Sequence, residues 1–232
     1  DAQMGFALAL RAVGQPHQAL SLLNKAFRHY RDDGDPEGLA FAHWALGGTY
    51  RIAGDLTRGW KELKAAEAAY RKQHDAEGAA YTCCALGGLA RMRCDLKASS
   101  FYYRQANTRM RARRDLFGTA YSYCGIGNVY RMRGNFAKAF KYFQRAEKLY
   151  ARIGDIVSYA YTLWSMGTAF KMSGRLPEAA RAFREAEGLF RKTGDTRGQV
   201  YTLLGATELQ ILSGKKGDYI ARLCAKASRL CK

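Results

Sequence analysis

Aspartate recurs every 40 residues along this chain, at Asp35, Asp75, Asp115, Asp155 and Asp195. Each aspartate opens a block of similar sequence, so that DAEGAAYTCCALGGLARMRC is followed one period later by DLFGTAYSYCGIGNVYRMRG. A fixed period of this size indicates one supersecondary unit that is copied and stacked. Each unit of such a stack contacts only its neighbours, and we therefore predict that residues 1–232 form a single array.

Apolar residues recur at helical spacing twice in each period. In residues 115–154 they are Tyr123, Ile126, Gly127 and Tyr130, followed by Phe136, Ala139, Phe143, Ala146 and Tyr150. Spacings of three and four residues are typical of amphipathic helices, and no segment has the alternation of a strand. Short links between helices of about 17 residues, or roughly 26 Å, make neighbouring helices antiparallel. The pattern predicts an all-α fold.

Glycine followed by a capping residue marks the ends of these helices. Gly134 and Gly154 tolerate the left-handed backbone that ends many helices. Asp115 and Asn135 then accept hydrogen bonds from the free N–H groups of the next helix. The recurring aspartate is therefore predicted to be a helix cap. After Gly214 the pattern changes, and residues 218–231 are predicted to form a final, shortened helix.

The order of residue types within one unit resembles the tetratricopeptide repeat (TPR). It reads Ile126-Gly127, Tyr130, Ala139, Phe143 and Ala146, and it recurs as Met166-Gly167, Phe170, Ala179, Phe183 and Ala186. The usual unit has about 34 residues, whereas the 40-residue unit is similar to that of Pins-type adaptors, kinesin light chains and bacterial Rap-like regulators. The resemblance implies a right-handed superhelical solenoid of antiparallel helix pairs, with about five and a half repeats.

The period also predicts the boundaries of the repeats. We expect a partial repeat over 1–34, four repeats over 35–74, 75–114, 115–154 and 155–194, and a terminal repeat with a shortened capping helix over 195–232. Gly14 occupies the position of Gly54 in the following repeat, so that the sequence begins inside a helix. We therefore expect the chain to be a piece of a longer protein.

One stripe of each first helix is the candidate binding surface, because in TPR arrays the first helix of each pair lines the concave side. A helical wheel centred on Trp44 places four columns of equivalent residues on this stripe. Its candidate partner-binding residues are the basic column Arg51, Arg91, Arg131 and Lys171, the tyrosines Tyr81, Tyr121 and Tyr161, the tryptophans Trp44 and Trp164, and the small polar residues Asn128 and Thr168.

Each column has a binding interpretation and a structural one. A basic column suits an extended anionic partner, because arginine binds carboxylate or phosphate through two hydrogen bonds. Basic residues in the last turn of a helix also interact favourably with the helix dipole. The tyrosines either pack between first helices or contact a ligand. The resemblance to Pins-type adaptors implies that Asn128, in Ile126-Gly127-Asn128, holds the main chain of a bound peptide.

The net charge of +18 favours anionic partners. The leading hypothesis is a non-catalytic protein–protein interaction scaffold that binds an acidic and apolar peptide in a basic concave groove. Basic residues interleaved with tyrosines would also suit single-stranded RNA or another nucleic acid. A peptide-sensing regulatory arm is a third possibility, which the sequence does not separate from a scaffold.

Enzymatic activity is not expected in this segment. The four histidines occupy different positions within their repeats, and neither a phosphate-binding loop nor metal-ligand spacing is present. We therefore predict no catalytic residue, no metal, no cofactor and no small-molecule substrate. No apolar run is long enough to span a membrane. The six cysteines form no CxxC pair and are interpreted as small buried hydrophobic residues, kept reduced in a cytoplasmic protein.

Overall fold

The computed structural model describes residues 2–214 and 218–230, and within them it shows helices and no strand. The helices are α1 (Ala2–Ala12), α2 (Pro16–Asp32), α3 (Pro36–Ile52), α4 (Leu56–Lys72), α5 (Ala76–Met92), α6 (Leu96–Ala112), α7 (Leu116–Met132), α8 (Phe136–Ile153), α9 (Ile156–Met172), α10 (Leu176–Thr193), α11 (Thr196–Leu212) and α12 (Asp218–Leu230). The predicted all-α fold with two helices per period is confirmed. Helix α12 begins at the predicted Asp218, and Cys231 lies outside the described residues.

The chain divides into two compact units, residues 1–118 and 119–232. In the first unit, α3 and α4 are antiparallel neighbours, since His43 contacts Glu62 near the middle of both helices while Gly47 lies against Gly59 closer to the link. In the second unit, α9 and α10 pack in the same way, with Gly167 against Phe183. Antiparallel pairing of consecutive helices buries the apolar stripe of each one against its partner.

The predicted caps are present. The Asp75 carboxylate accepts hydrogen bonds from the main-chain N–H groups of Glu77 and Gly78, both at 2.9 Å. Asn135 accepts one from Lys138 N at 3.1 Å. Gly154 has a φ of 74° and closes α8 in the left-handed conformation. The glycine–aspartate step therefore ends one helix and starts the next, as the sequence predicted.

In the part of the chain that the structure describes, three helices end in the same left-handed conformation without glycine. His74, Cys94 and Arg114 have φ values of 56°, 59° and 59°. An L-residue with a Cβ is strained in this region by about 1–2 kcal/mol. The stacking of the repeats therefore imposes the turn even where the side chain disfavours it.

Replacing Arg114 by glycine is expected to stabilise the protein by about 0.5–1 kcal/mol. The substitution removes the strain of a positive φ, and the greater freedom of glycine in the unfolded chain offsets part of the gain. Urea unfolding followed by circular dichroism measures the change. The matched control is Arg104→Gly in the interior of α6, which should destabilise by about 1 kcal/mol. Equal effects of the two substitutions would contradict the strain at Arg114.

The core of each unit depends on glycines in the first helices that face large side chains in the second. A Cβ added to Gly127 would lie 2.7 Å from the Phe143 ring, and one added to Gly47 would lie 2.6 Å from Leu63 Cγ. Both Phe143 and Leu63 are fully buried. Gly47 therefore serves helix packing, since a side chain at this position would collide with Leu63.

The cysteine prediction is correct for part of the set. Cys83 and Cys84 are buried, and burial raises the pKa of both thiols. Cys124 is half-buried. Cys94 is exposed, so that its interpretation as a buried residue is wrong. The reason is its position in the left-handed turn after α5, where the chain faces solvent.

Candidate functional site

The basic column begins in the first unit with Arg51 and Arg91, at equivalent positions in the last turns of α3 and α5. Both side chains are half-buried. Arg51 Nη1 approaches the Met92 sulfur at 4.0 Å, and Arg91 Nε is buried without a hydrogen-bond partner in the described part of the chain. A thioether is a weak acceptor. Among the residues that the structure describes, neither guanidinium forms an ion pair.

The basic column of the second unit is different, because its members have stronger contacts. Arg131 donates to Asn128 Oδ1 at 3.2 Å and approaches the Met172 sulfur at 3.3 Å. Lys171 forms a salt bridge with Glu208, and only 16% of the lysine side chain is exposed. Glu208 occupies the position of Asn128 and Thr168 in the last repeat. The charge of Lys171 is therefore neutralised within the protein.

Asn128 and Thr168 bond to their own helices. Asn128 is buried, and its amide nitrogen donates to the Cys124 main-chain oxygen at 3.1 Å. Thr168 Oγ1 donates to the Trp164 main-chain oxygen at 3.0 Å. A ligand main chain would have to replace these internal bonds. The role that the resemblance implies for Asn128 thus remains a prediction.

Two members of the tyrosine column join a first helix to the cap of the next one. Tyr81 Oη donates to Asp115 Oδ2 at 2.9 Å, and Tyr161 Oη donates to Asp195 Oδ1 at 3.2 Å. Burial, followed by the neighbouring aspartate, raises the pKa of Tyr81 above its ordinary range. Burial likewise raises the pKa of Tyr161, to about 12. Tyr121 is 39% exposed. In this column, Tyr81 and Tyr161 therefore have a structural role, whereas the ring of Tyr121 is accessible to a ligand.

The two tryptophans of the stripe have different environments. Trp164 stacks on Tyr201, with ring centroids 5.1 Å apart, and its indole N–H donates to the Tyr201 main-chain oxygen at 3.2 Å. Trp44 stacks on Phe41 instead, at 5.5 Å. Its indole nitrogen is buried and has no hydrogen-bond partner within the described ranges. Equivalent positions in the sequence thus have different local structures.

Comparison with known proteins agrees with this geometry. Residues 118–192 match the family model of the tetratricopeptide repeat. The solved structure of the Rap conjugation gene regulator of plasmid pLS20, in complex with the Phr* peptide, is similar over 97% of this chain and 61% of that chain, with a TM-score of 0.80 and 16% sequence identity. The chain has the TPR fold.

Two further structures support the same fold at low sequence identity. The BtubC (BKLC) protein of P. vanneervenii matches 95% of this TPR chain and 89% of its own, with a TM-score of 0.66 and 13% identity. A protein assigned as a kinesin light chain in Podosopora anserina, with nearly identical TPR-like repeats, matches 83% of this chain and 95% of its own, with a TM-score of 0.60 and 14% identity. No curated protein matches the sequence.

Within the TPR array, sequence reasoning missed the bond between the tyrosine column and the caps. The signal was present, because Tyr81 precedes Asp115 by the same 34 residues that separate Tyr161 from Asp195. The tyrosines were expected either to pack between first helices or to contact a ligand, and the aspartates to cap helices, so that a bond between the two was not considered. None of the described helices is long and apolar enough to cross a membrane.

Proposed function

We propose that this TPR array is a non-catalytic scaffold that binds an acidic, partly apolar peptide segment of a partner protein. The observation that carries the proposal is the pair Arg51 and Arg91, two half-buried guanidiniums without a carboxylate partner among the described residues. A partly buried cation gains most from an anionic partner, because neighbouring protein shields it from solvent and strengthens the attraction. The peptide would cross the first helices from Arg51 on α3 to Arg91 on α5, in the concave groove that the TPR fold implies.

The arrangement of the side chains supports a peptide ligand. Met92 lies beside Arg51 and is 43% exposed, so that an apolar contact is available next to the cation. Carboxylates of the peptide would accept hydrogen bonds from Arg51 and Arg91, while its apolar residues would contact Met92. The structurally similar Rap regulator was solved in complex with the Phr* peptide.

The second unit would contribute less to such binding. Lys171 is already paired with Glu208, and Arg131 already donates to Asn128. An acidic peptide would have to compete with these contacts. We therefore assign the main contribution to Arg51 and Arg91, with Arg131, Asn128, Thr168, Tyr121 and Trp164 as candidate secondary contacts.

Reversing the charge of Arg51 and Arg91 together is expected to weaken acidic-peptide binding by well over tenfold. Hydrogen bonds to charged groups contribute about 1.5–3 kcal/mol each, and about 1.4 kcal/mol corresponds to tenfold. The measurement is fluorescence anisotropy with a labelled peptide of alternating Glu and Leu. The matched control is Lys97→Glu with Arg111→Glu, which makes the same charge change at exposed positions of α6.

Two outcomes would contradict the proposal. One is wild-type affinity in the Arg51→Glu/Arg91→Glu variant. The other is an equal loss in the α6 control, which would indicate non-specific attraction by the net charge. A random single-stranded RNA serves as competitor in the same assay. If the RNA binds much more tightly than the peptide, with a steep dependence on salt, the nucleic-acid alternative replaces the peptide.

A further inference from the structure

An aromatic pocket with an acidic side lies between α3 and α5 in the first unit. Its cavity has a volume of about 430 Å³ and is lined by Phe41, Trp44, Tyr70, Asp75, Glu77, Gly78 and Tyr81. Four of these residues are aromatic and two are carboxylates. Aromatic faces and carboxylates together attract cations, because the faces carry partial negative charge and the carboxylates full charge. The pocket therefore differs in sign from the basic column on the same helices.

At the equivalent place three repeats later, the protein itself supplies a cationic side chain. The corresponding residues are Tyr161, Trp164, Phe190, Asp195, Arg197, Gly198 and Tyr201. Here arginine replaces Glu77, and its Cζ lies 5.6 Å from the centroid of the Tyr161 ring. Arg197 Nε also donates to Tyr161 Oη at 3.1 Å. The second unit thus shows where a guanidinium binds in this local structure, whereas the first unit has a carboxylate at that position.

The Asp75 carboxylate has an oxygen available for such a cation. Asp115 and Asp195 each accept a hydroxyl donor from the preceding first helix, at 2.9 and 3.2 Å. The residue that would donate to Asp75 is Phe41, which has no hydroxyl. Asp75 Oδ1 accepts the two main-chain N–H groups of the cap. Within the described residues, Asp75 Oδ2 has no hydrogen-bond donor.

The Trp44 side chain supplies a second unsatisfied group. Its buried indole N–H has no acceptor among the described residues, whereas the equivalent Trp164 donates to Tyr201 O. A buried donor without an acceptor is destabilising, and the Trp44 ring therefore has a less favourable environment than the Trp164 ring. Arg11 lies over the Trp44 ring at 5.4 Å, beside Gly48, and it is not part of the pocket lining.

We propose that this pocket binds an arginine side chain of the partner protein. The inference rests on the proposed scaffold function and adds a second recognition element to it. The flat guanidinium stacks on the Phe41 and Tyr81 rings, and its N–H groups donate to Asp75 Oδ2 and Glu77. Glu77 is paired with the exposed Arg113 at 2.8 Å, and the ligand shares this carboxylate with it.

The pocket also predicts a spacing within the partner sequence. Phe41 and Arg51 are ten residues apart on α3, which is roughly 15 Å along the helix axis at about 1.5 Å per residue. An extended peptide covers this distance with roughly four to five residues, at about 3.3 Å each. The partner segment therefore has an arginine about four to five residues from its acidic residues.

The test uses N-acetyl-arginine methylamide as the probe and the indole N–H resonance of Trp44 as the signal. Trp44→Phe assigns the resonance, because the chain has three tryptophans. We expect the arginine probe to shift it in a saturable way, and the neutral citrulline analogue to leave it unchanged. Glu77→Arg introduces a guanidinium as at Arg197 and should abolish the shift. Glu185→Arg, the same change at an exposed position of α10, should retain it.

A second variant tests the pocket without changing the net charge of the protein. Phe41→Leu removes one aromatic face of the pocket without changing any charge and should weaken arginine binding several-fold. An unchanged affinity in Phe41→Leu and Glu77→Arg, equal shifts with citrulline, or no shift in the wild type would overturn the proposal. The Arg51→Glu/Arg91→Glu variant should still bind the arginine probe. Loss of acidic-peptide binding without loss of the arginine shift therefore separates the two sites, and failure of either one is recognisable.

Discussion

Replacing Phe143 by alanine is expected to destabilise the second unit by about 3–5 kcal/mol. Phe143 is fully buried in a cluster with Ala139 and Ala169, and its ring covers Gly127. Glycine at 127 has no side chain to move into the space, so that the cavity would remain largely open. The loss therefore includes the transfer of the ring to water and the cost of the cavity. Urea unfolding followed by circular dichroism measures it.

Two further substitutions control this experiment. Phe143→Leu should be less harmful, because Leu63 occupies the equivalent position against Gly47 in the first unit. Phe101→Ala removes a phenylalanine that is 55% exposed and should cost less than about 1 kcal/mol. If Phe143→Ala and Phe101→Ala had similar effects, the burial of Phe143 would be wrong.

Replacing Asp115 by alanine is expected to destabilise the protein by about 2–3 kcal/mol, whereas Asp75→Ala should cost about 1 kcal/mol. Both aspartates cap a helix, and Asp115 accepts a bond from Gly118 N at 2.8 Å. Asp115 also accepts the Tyr81 hydroxyl, which would lose its acceptor in the variant. A partly buried hydroxyl without an acceptor adds to the loss of the cap. The free energies of unfolding in urea give the comparison.

A double-mutant cycle isolates the bond between the two residues. Tyr81→Phe removes the hydroxyl, so that Asp115→Ala in this background should cost only as much as the loss of a cap. The coupling is expected to be about 1 kcal/mol. A coupling near zero, or equal losses for Asp75→Ala and Asp115→Ala, would contradict the geometry at Tyr81. Both aspartates cap a first helix, and the residue 34 positions earlier is Tyr81 for Asp115 and Phe41 for Asp75.

The fold was predictable because its determinants are local in sequence. Gly154 and Asp155 mark a helix end and the next start from backbone preferences alone, and the structure places the boundary there. The apolar spacing that contains Phe143 likewise identifies the buried face of α8. The same signals recur every 40 residues, so that a helix boundary that is unclear in one repeat is identified from the others.

The candidate site was predictable only in part. The period aligned Arg51, Arg91, Arg131 and Lys171 as equivalent positions. It did not predict that Glu208 would pair with Lys171, because the pairing depends on a residue 37 positions away in the next repeat. The period also aligned Trp44 and Trp164 as equivalent positions, although their rings stack on different neighbours. Residues at equivalent positions of the repeat therefore do not always make equivalent contacts.

By itself, the sequence determined the helices, their caps and the antiparallel stacking of a TPR array. These properties follow from backbone conformation and hydrophobic periodicity, which act over a few residues and are repeated in every unit. The tertiary structure decided which charges have partners among the described residues and where a pocket opens. Because Phe41 has no hydroxyl, one oxygen of Asp75 has no donor within the described part of the chain, at the interface between neighbouring repeats. Such contacts depend on pairs of side chains from different helices, whereas a repeat pattern gives the residue type at one position at a time.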